Sequence, residues 1–183
     1  MSRAFLALAG CASASSAERH SHRSARAPEY YETGAKWTDF QDDDKIVVHI
    51  VPHTHDDVGW NKNVDEYFTG VHNDRQAANV ELIIDTVIRA LIENENRTFT
   101  YVEQAFFQRW WMLQNENMRN EVKRIVANGQ LSFSNGGWCM HDEATTHFVD
   151  MLDQTTTGHT FLHQTFGYKP RVGWQLDPFG HSS

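Results

Sequence analysis

The sequence predicts an α/β fold: a partial parallel-sheet, barrel-like domain with elements in the order β-α-β-α-β-α-β. Three observations predict it. Short apolar runs alternate with segments of helical periodicity from Lys45 onward. Such alternation implies parallel strands joined by right-handed crossovers. Polar, chemistry-bearing residues also cluster just after each apolar run, where parallel sheets bind their ligands.

The first strand is Ile46-Val47-Val48-His49-Ile50-Val51, with His49 as a core histidine satisfied inside it. Val80, Ile83, Ile84, Val87, Ile88 and Leu91 then step at helical spacing and form one apolar face, which ends in the polar exit Glu93-Asn94-Glu95-Asn96. Phe99-Thr100-Tyr101-Val102 reads as the second strand. A helical stretch starts at Ala105-Phe106-Phe107, carries Trp110 and Trp111 as core residues, and stops at Asn128-Gly129. Leu131-Ser132-Phe133-Ser134 is the third strand, followed by a turn at Gly136-Gly137. A helix is expected from Ala144 to Phe166, and Pro170 leads into the fourth strand, Val172-Gly173-Trp174-Gln175-Leu176.

The 183 residues suffice for one domain with a sizeable core, and 40% hydrophobic with 22% charged residues is an ordinary globular balance. A net charge of −8 argues against nucleic acid and anionic membrane as partners and suits a neutral ligand such as a sugar. No run of about 20 apolar residues is present, so no membrane span is expected.

Residues 1–17 read as a signal peptide: basic Arg3, an apolar Ala4–Ala9 stretch and an Ala12-Ser13-Ala14 cleavage site. Leu8-Ala9-Gly10-Cys11 also fits a lipoprotein box, and a disordered Ala/Ser-rich tail is the plain alternative. Residues 18–44 are a polar linker, and residues 45–183 are the folded part. Without the leader, Cys139 is the single cysteine, read as a small buried hydrophobe. The sequon Asn96-Arg97-Thr98 falls where a surface turn is expected.

The chemistry concentrates in Pro52-His53-Thr54-His55-Asp56-Asp57-Val58-Gly59-Trp60, directly after the first strand. Alternate side chains of an extended backbone share a face, so His53, His55 and Asp57 can converge. Imidazole nitrogen with carboxylate oxygen is a donor set for zinc or a similar divalent ion, and His55 and Asp57 are the expected ligands. The plain alternative is that Asp56 or Asp57 caps a following helix. Asp177, at the end of the fourth strand, is expected as a metal ligand or nucleophile; a helix N-cap is its alternative. Trp60, Trp138 and Phe179 are candidate walls for stacking on sugar. Asp142 is a candidate for binding sugar hydroxyls, with Glu143 beside it; a plain helix N-cap is the alternative for Asp142.

These motifs closely resemble the N-terminal part of the lysosomal-type α-mannosidases of glycoside hydrolase family 38. The likeness rests on Val48 to Trp60 with Val64-Asp65-Glu66-Tyr67-Phe68, and on Tyr101-Val102-Glu103 with Phe106-Phe107 and Arg109-Trp110-Trp111. Asn135-Gly136-Gly137-Trp138, Asp142-Glu143-Ala144, Asp153-Gln154 and Trp174 to Ser182 extend it. It runs from about Lys45 to Ser183, with minor departures at Asn63 and His141. The resemblance implies a retaining exo-α-mannosidase holding one zinc ion that grips the 2- and 3-hydroxyls of a terminal mannose. It makes His55, Asp57 and Asp177 zinc ligands and Asp177 also the nucleophile. It further implies a mannose-terminated oligosaccharide or N-glycan as substrate and a lysosomal or secretory location. In the family, the acid/base carboxyl group and a fourth, histidine ligand come from downstream segments that this chain does not contain. The chain is therefore expected to be a fragment that cannot catalyse alone. The rivals are a non-catalytic product that binds sugar and zinc, and a binuclear amidohydrolase that uses His53 together with His55.

Overall fold

The computed structural model describes Ile46, residues 48–144 and residues 147–181. The leader and linker expected over residues 1–44 lie outside the described residues. Helix α1 spans Val64–Thr69, α2 Val80–Glu93, α3 Gln104–Leu113, α4 Glu116–Ala127 and α5 Phe148–Phe166; strands β1 and β2 are Phe99–Tyr101 and Leu131–Phe133. The fold is thus a mixture of helices with a small parallel sheet, as the α/β class requires.

Local chemistry sets the helix ends. Asn63 opens α1 with a capping box: its side chain accepts from the Glu66 amide while the Glu66 carboxylate accepts from the Asn63 amide. Asn79 and Asn115 cap α2 and α4 in the simpler way, accepting from the amides of Leu82 and Met118. Helix α2 buries Val80, Ile84, Ile88 and Leu91, the face that its periodicity predicts. The single helical stretch expected from Ala105 to Asn128 is instead two helices, because the Asn115 cap restarts the chain after Gln114. The last helix begins at Phe148, with His147 at its N-cap, rather than at Ala144.

Strands β1 and β2 pair in parallel with Phe99 opposite Leu131 and Tyr101 opposite Phe133; α3 and α4 form the crossover between them. The two outer segments lie where strands were expected but form no ladder. On one side His53 bridges to Thr100, whose amide donates to the Pro52 carbonyl at 2.9 Å. On the other, the Asn135 amide donates to the Val172 carbonyl at 2.8 Å. The side chain of Asn135, a residue in left-handed backbone (φ 55), completes that join by bonding both the amide and the carbonyl of Trp174. A three-residue β1 offers partners over only a short length, so the apolar run before Pro52 stays exposed: Ile46, Val48 and Ile50 are all largely solvent-facing. His49 is exposed with them, not a core histidine.

The core gathers around Phe107. Its ring meets Phe133 at 5.0 Å, Tyr101 and Trp110 at 5.9 Å and Phe166 at 6.2 Å. Trp110 and Trp111 are buried as expected. Lys62 is buried as well, and its ammonium donates to the Val71 carbonyl (3.0 Å), the Asn73 side-chain oxygen (3.1 Å) and the Ala78 carbonyl (2.9 Å). Those bonds pin the loop ahead of α2 to the segment that carries Trp60. No helix among the described residues is long and apolar enough to cross a membrane.

Candidate metal centre

The segment after Pro52 and the segment after Trp174 meet beyond the carboxyl ends of β1 and β2. The rings of His53 and Trp174 touch edge to face, with centroids 4.6 Å apart. Further along each segment the polar groups converge. One donor atom from each of His55, Asp57 and Asp177 lies within 4.8 Å of the others. His55 Nε2 is 3.1 Å from Asp57 Oδ1. The extended backbone through residues 53–57 brings alternate side chains to one side, so His55 and Asp57 converge while Asp56 turns inward and is buried.

The capping alternative for Asp56 and Asp57 does not hold: Asn63 caps the helix that follows. His53 is not among the three converging residues, and its ring packs against Trp174. One imidazole and two carboxylates are a donor set that zinc accepts, with room for a further ligand, so these residues fit such an ion.

The other candidate residues differ in exposure and in what holds them. Trp60 is 70% exposed and Phe179 45% exposed, the latter with its ring against His181 at 5.1 Å. Trp138 is half-buried, held by its amide on the Gln154 carbonyl and by its carbonyl on the Ala105 amide, each at 3.0 Å. The Gly137 carbonyl likewise accepts from the Gln104 amide, so this loop satisfies the first amides of α3, where Glu103 supplies no side-chain cap. Asp142 is exposed, and its Oδ1 accepts from the Ala144 amide at 2.7 Å. Glu143 does not simply line the mouth. One of its oxygens receives backbone amides from the loop after Asp177. Cys139 is half-buried with its thiol donating to Gln154, and burial raises its pKa.

Behind the ligand group lies a buried acidic layer that sequence reasoning placed but gave no role. Glu103 is 1% exposed, and among the described residues neither of its oxygens completes a hydrogen bond of ordinary geometry; the Tyr101 hydroxyl lies beside Asp56 without completing one. Burial first, and then the charge of Asp56, push the Glu103 carboxyl well above the ordinary range. Burial also raises Asp56, opposed by the nearby Thr54 and Tyr101 hydroxyls. Because the Glu103 pKa is higher folded than unfolded, the folded state binds the extra proton. Stability is therefore fully present below the unfolded value near 4.5 and falls as pH rises from there toward the folded value. Glu103→Gln is expected to remove that slope, at most about 1.4 kcal/mol per pH unit, in metal-free protein. The variant's denaturation midpoint should match the parent's near pH 4 and exceed it at pH 7. Parallel pH profiles for the two proteins would contradict this account of Glu103.

Residues 45–183 match the glycosyl hydrolases family 38 N-terminal domain. The chain is 58% identical over 140 residues to an alpha-mannosidase of Arabidopsis thaliana, covering 76% of this chain and 14% of that protein. It is 52% identical over 153 residues to an alpha-mannosidase of Canavalia ensiformis, covering 84% and 15%. To the lysosomal alpha-mannosidase of Bos taurus it is 54% identical over 141 residues, covering 76% and 14%. The chain thus spans about one-seventh of the length of these curated relatives. On the match over residues 45–183, the chain belongs to glycosyl hydrolase family 38.

Proposed function

We propose that the full-length protein is a zinc-dependent retaining α-mannosidase that removes terminal α-linked mannose from N-glycans. The convergence of His55, Asp57 and Asp177 within 4.8 Å is the observation that carries this reading. His55 Nε2 and one oxygen each of Asp57 and Asp177 would hold the ion. When bound, zinc supplies a Lewis acid to which vicinal sugar hydroxyls can be anchored. The Asp177 carboxylate attacks the anomeric carbon as the bond to the leaving oxygen breaks, and a second carboxyl group protonates that oxygen. Water, deprotonated by the same second group, then releases mannose with its configuration retained. That acid/base group and the remaining metal ligand belong to parts of the enzyme beyond this chain. Trp60, Trp138 and Phe179 supply stacking surface, and Asp142 an acceptor for hydroxyls.

The relatives named lysosomal alpha-mannosidase support an acidic compartment of the secretory route for this protein. Asn96 sits in an exposed turn after α2, where a glycan can be carried without loss of packing. The test is metal removal. Full-length protein dialysed against a chelator is expected to lose hydrolysis of an aryl α-mannoside, and one equivalent of zinc should restore it with α-mannose as the first-formed anomer. Full activity in verified metal-free protein, or first-formed β-mannose, would overturn the proposal.

A further inference from the structure

The loop that follows Asp177 is held by a single carboxylate from a distant turn. Glu143 Oε2 accepts the backbone amides of Phe179 at 2.9 Å, Gly180 at 3.0 Å and His181 at 3.3 Å. Three successive amides can aim at one oxygen only where the backbone curls into a concave nest, and Gly180, with φ 87, provides the left-handed residue for it. Bonds from N–H groups to an ionised acceptor are stronger than neutral ones. The turn bearing Glu143 is itself fastened: Asp142 Oδ1 accepts from the Ala144 amide at 2.7 Å. Just upstream, Met140 Sδ accepts from the Leu176 amide at 3.2 Å, so the strap from 140 to 144 runs beside the chain on both sides of Asp177.

This arrangement bears on Asp177 because the Asn135 bonds that hold the preceding segment end at Trp174. The segment from Val172 to Leu176 carries no strand ladder, and Asp177 is exposed. Only Pro178, with its restricted φ, separates Asp177 from the first clamped amide. We infer that Glu143 is a positioning residue, which clamps the loop after Asp177 and so holds the Asp177 carboxylate against His55 and Asp57 for metal binding. The inference rests on the metal-dependent mannosidase reading given above. Without the clamp the loop samples conformations in which Asp177 leaves the group, and the ligands that remain hold the ion more weakly.

The experiment uses the full-length protein and its Glu143→Ala and Glu143→Gln variants. Amide hydrogen exchange is followed over residues 177–181 in metal-free samples, and zinc affinity is measured by competition with a chromogenic chelator. Glu143→Ala is expected to lose protection across Phe179–His181 and to bind zinc about 10–100-fold more weakly at an unchanged thermal midpoint, as loss of a supporting outer contact does elsewhere. Glu143→Gln keeps an acceptor oxygen in place and should recover most of both. Should Glu143→Ala not fold, Glu143→Asp, one methylene shorter and unable to span the same gap, carries the test. Protection unchanged in the Ala or Asp variant, lost protection with undiminished zinc affinity, or a Gln variant as impaired as Ala would each overturn the inference. Failure of the metal reading shows separately, as absence of zinc binding by the unsubstituted protein.

Discussion

In the full-length enzyme, Asp177→Ala is expected to lower kcat/KM for an aryl α-mannoside by about 10⁴-fold or more. Two losses combine in this one substitution. The attacking oxygen disappears, and so does one of the three donor atoms that converge within 4.8 Å. Asp177→Asn separates them, because an amide oxygen can still approach a metal but is a far weaker nucleophile. Metal content and turnover measured on the same samples should therefore show a metal-free, inactive Ala variant and an Asn variant that retains part of its zinc yet remains inactive. Activity within tenfold of the parent in either variant would sink the nucleophile role of Asp177.

Gly158→Ala is expected to destabilise the fold by about 3 kcal/mol or more, the upper end of overpacking costs. Helix α5 passes directly over the turn at Gly136-Gly137. A Cβ on Gly158 would meet the Gly136 carbonyl oxygen well inside van der Waals contact, with Gly137 C and Cα at 2.7 and 2.8 Å. All three atoms are backbone, so no side chain can swing aside. The intrinsic helix preference of Ala over Gly, about 1 kcal/mol, works in the opposite direction and is outweighed. Gly167→Ala is the control. There φ is 66 but nothing lies within 4 Å of a new Cβ, so only the left-handed backbone penalty of about 1–2 kcal/mol applies. Urea denaturation of both variants checks the comparison, and equal costs would contradict the contact argument. The pushed turn carries Trp138 and supplies the first amides of α3 with acceptors, so the damage should extend to the mouth of the site.

What the sequence made legible was local. The periodicity of α2 gave its buried face, Asn128-Gly129 marked the end of α4, and the spacing of His55 and Asp57 already placed both on one side of an extended chain. Features that depend on distant partners were not legible. The break at Asn115 falls inside a continuous helical pattern, and only the cap geometry reveals it. Whether an apolar run becomes a strand depends on the length of its neighbour. The short β1 pairs only with His53, through a single bridge, and the apolar run before Pro52 is left exposed although its composition is that of a buried strand. The convergence of Asp177 with His55 and Asp57 arises from topology rather than spacing. The same holds for the burial of the Glu103 carboxyl and for the three amides on Glu143, whose residue types alone suggested only a polar rim.

The buried ammonium of Lys62 has a consequence for chemical reactivity. All three of its N–H bonds are taken, by acceptors spread from Val71 to Ala78, and the carbonyl of Lys62 itself accepts from the Trp60 amide at 3.0 Å. An amine-acylating reagent can reach this nitrogen only when the whole arm from Trp60 to α2 swings open. Once acylated, the nitrogen has lost its charge and two of its donors, and the arm cannot close again as before. Lys123 and Lys169 are exposed and react without any opening, so they serve as internal references. The slow acylation of Lys62 against that background is a clock that counts how often the tryptophan at the edge of the site lets go.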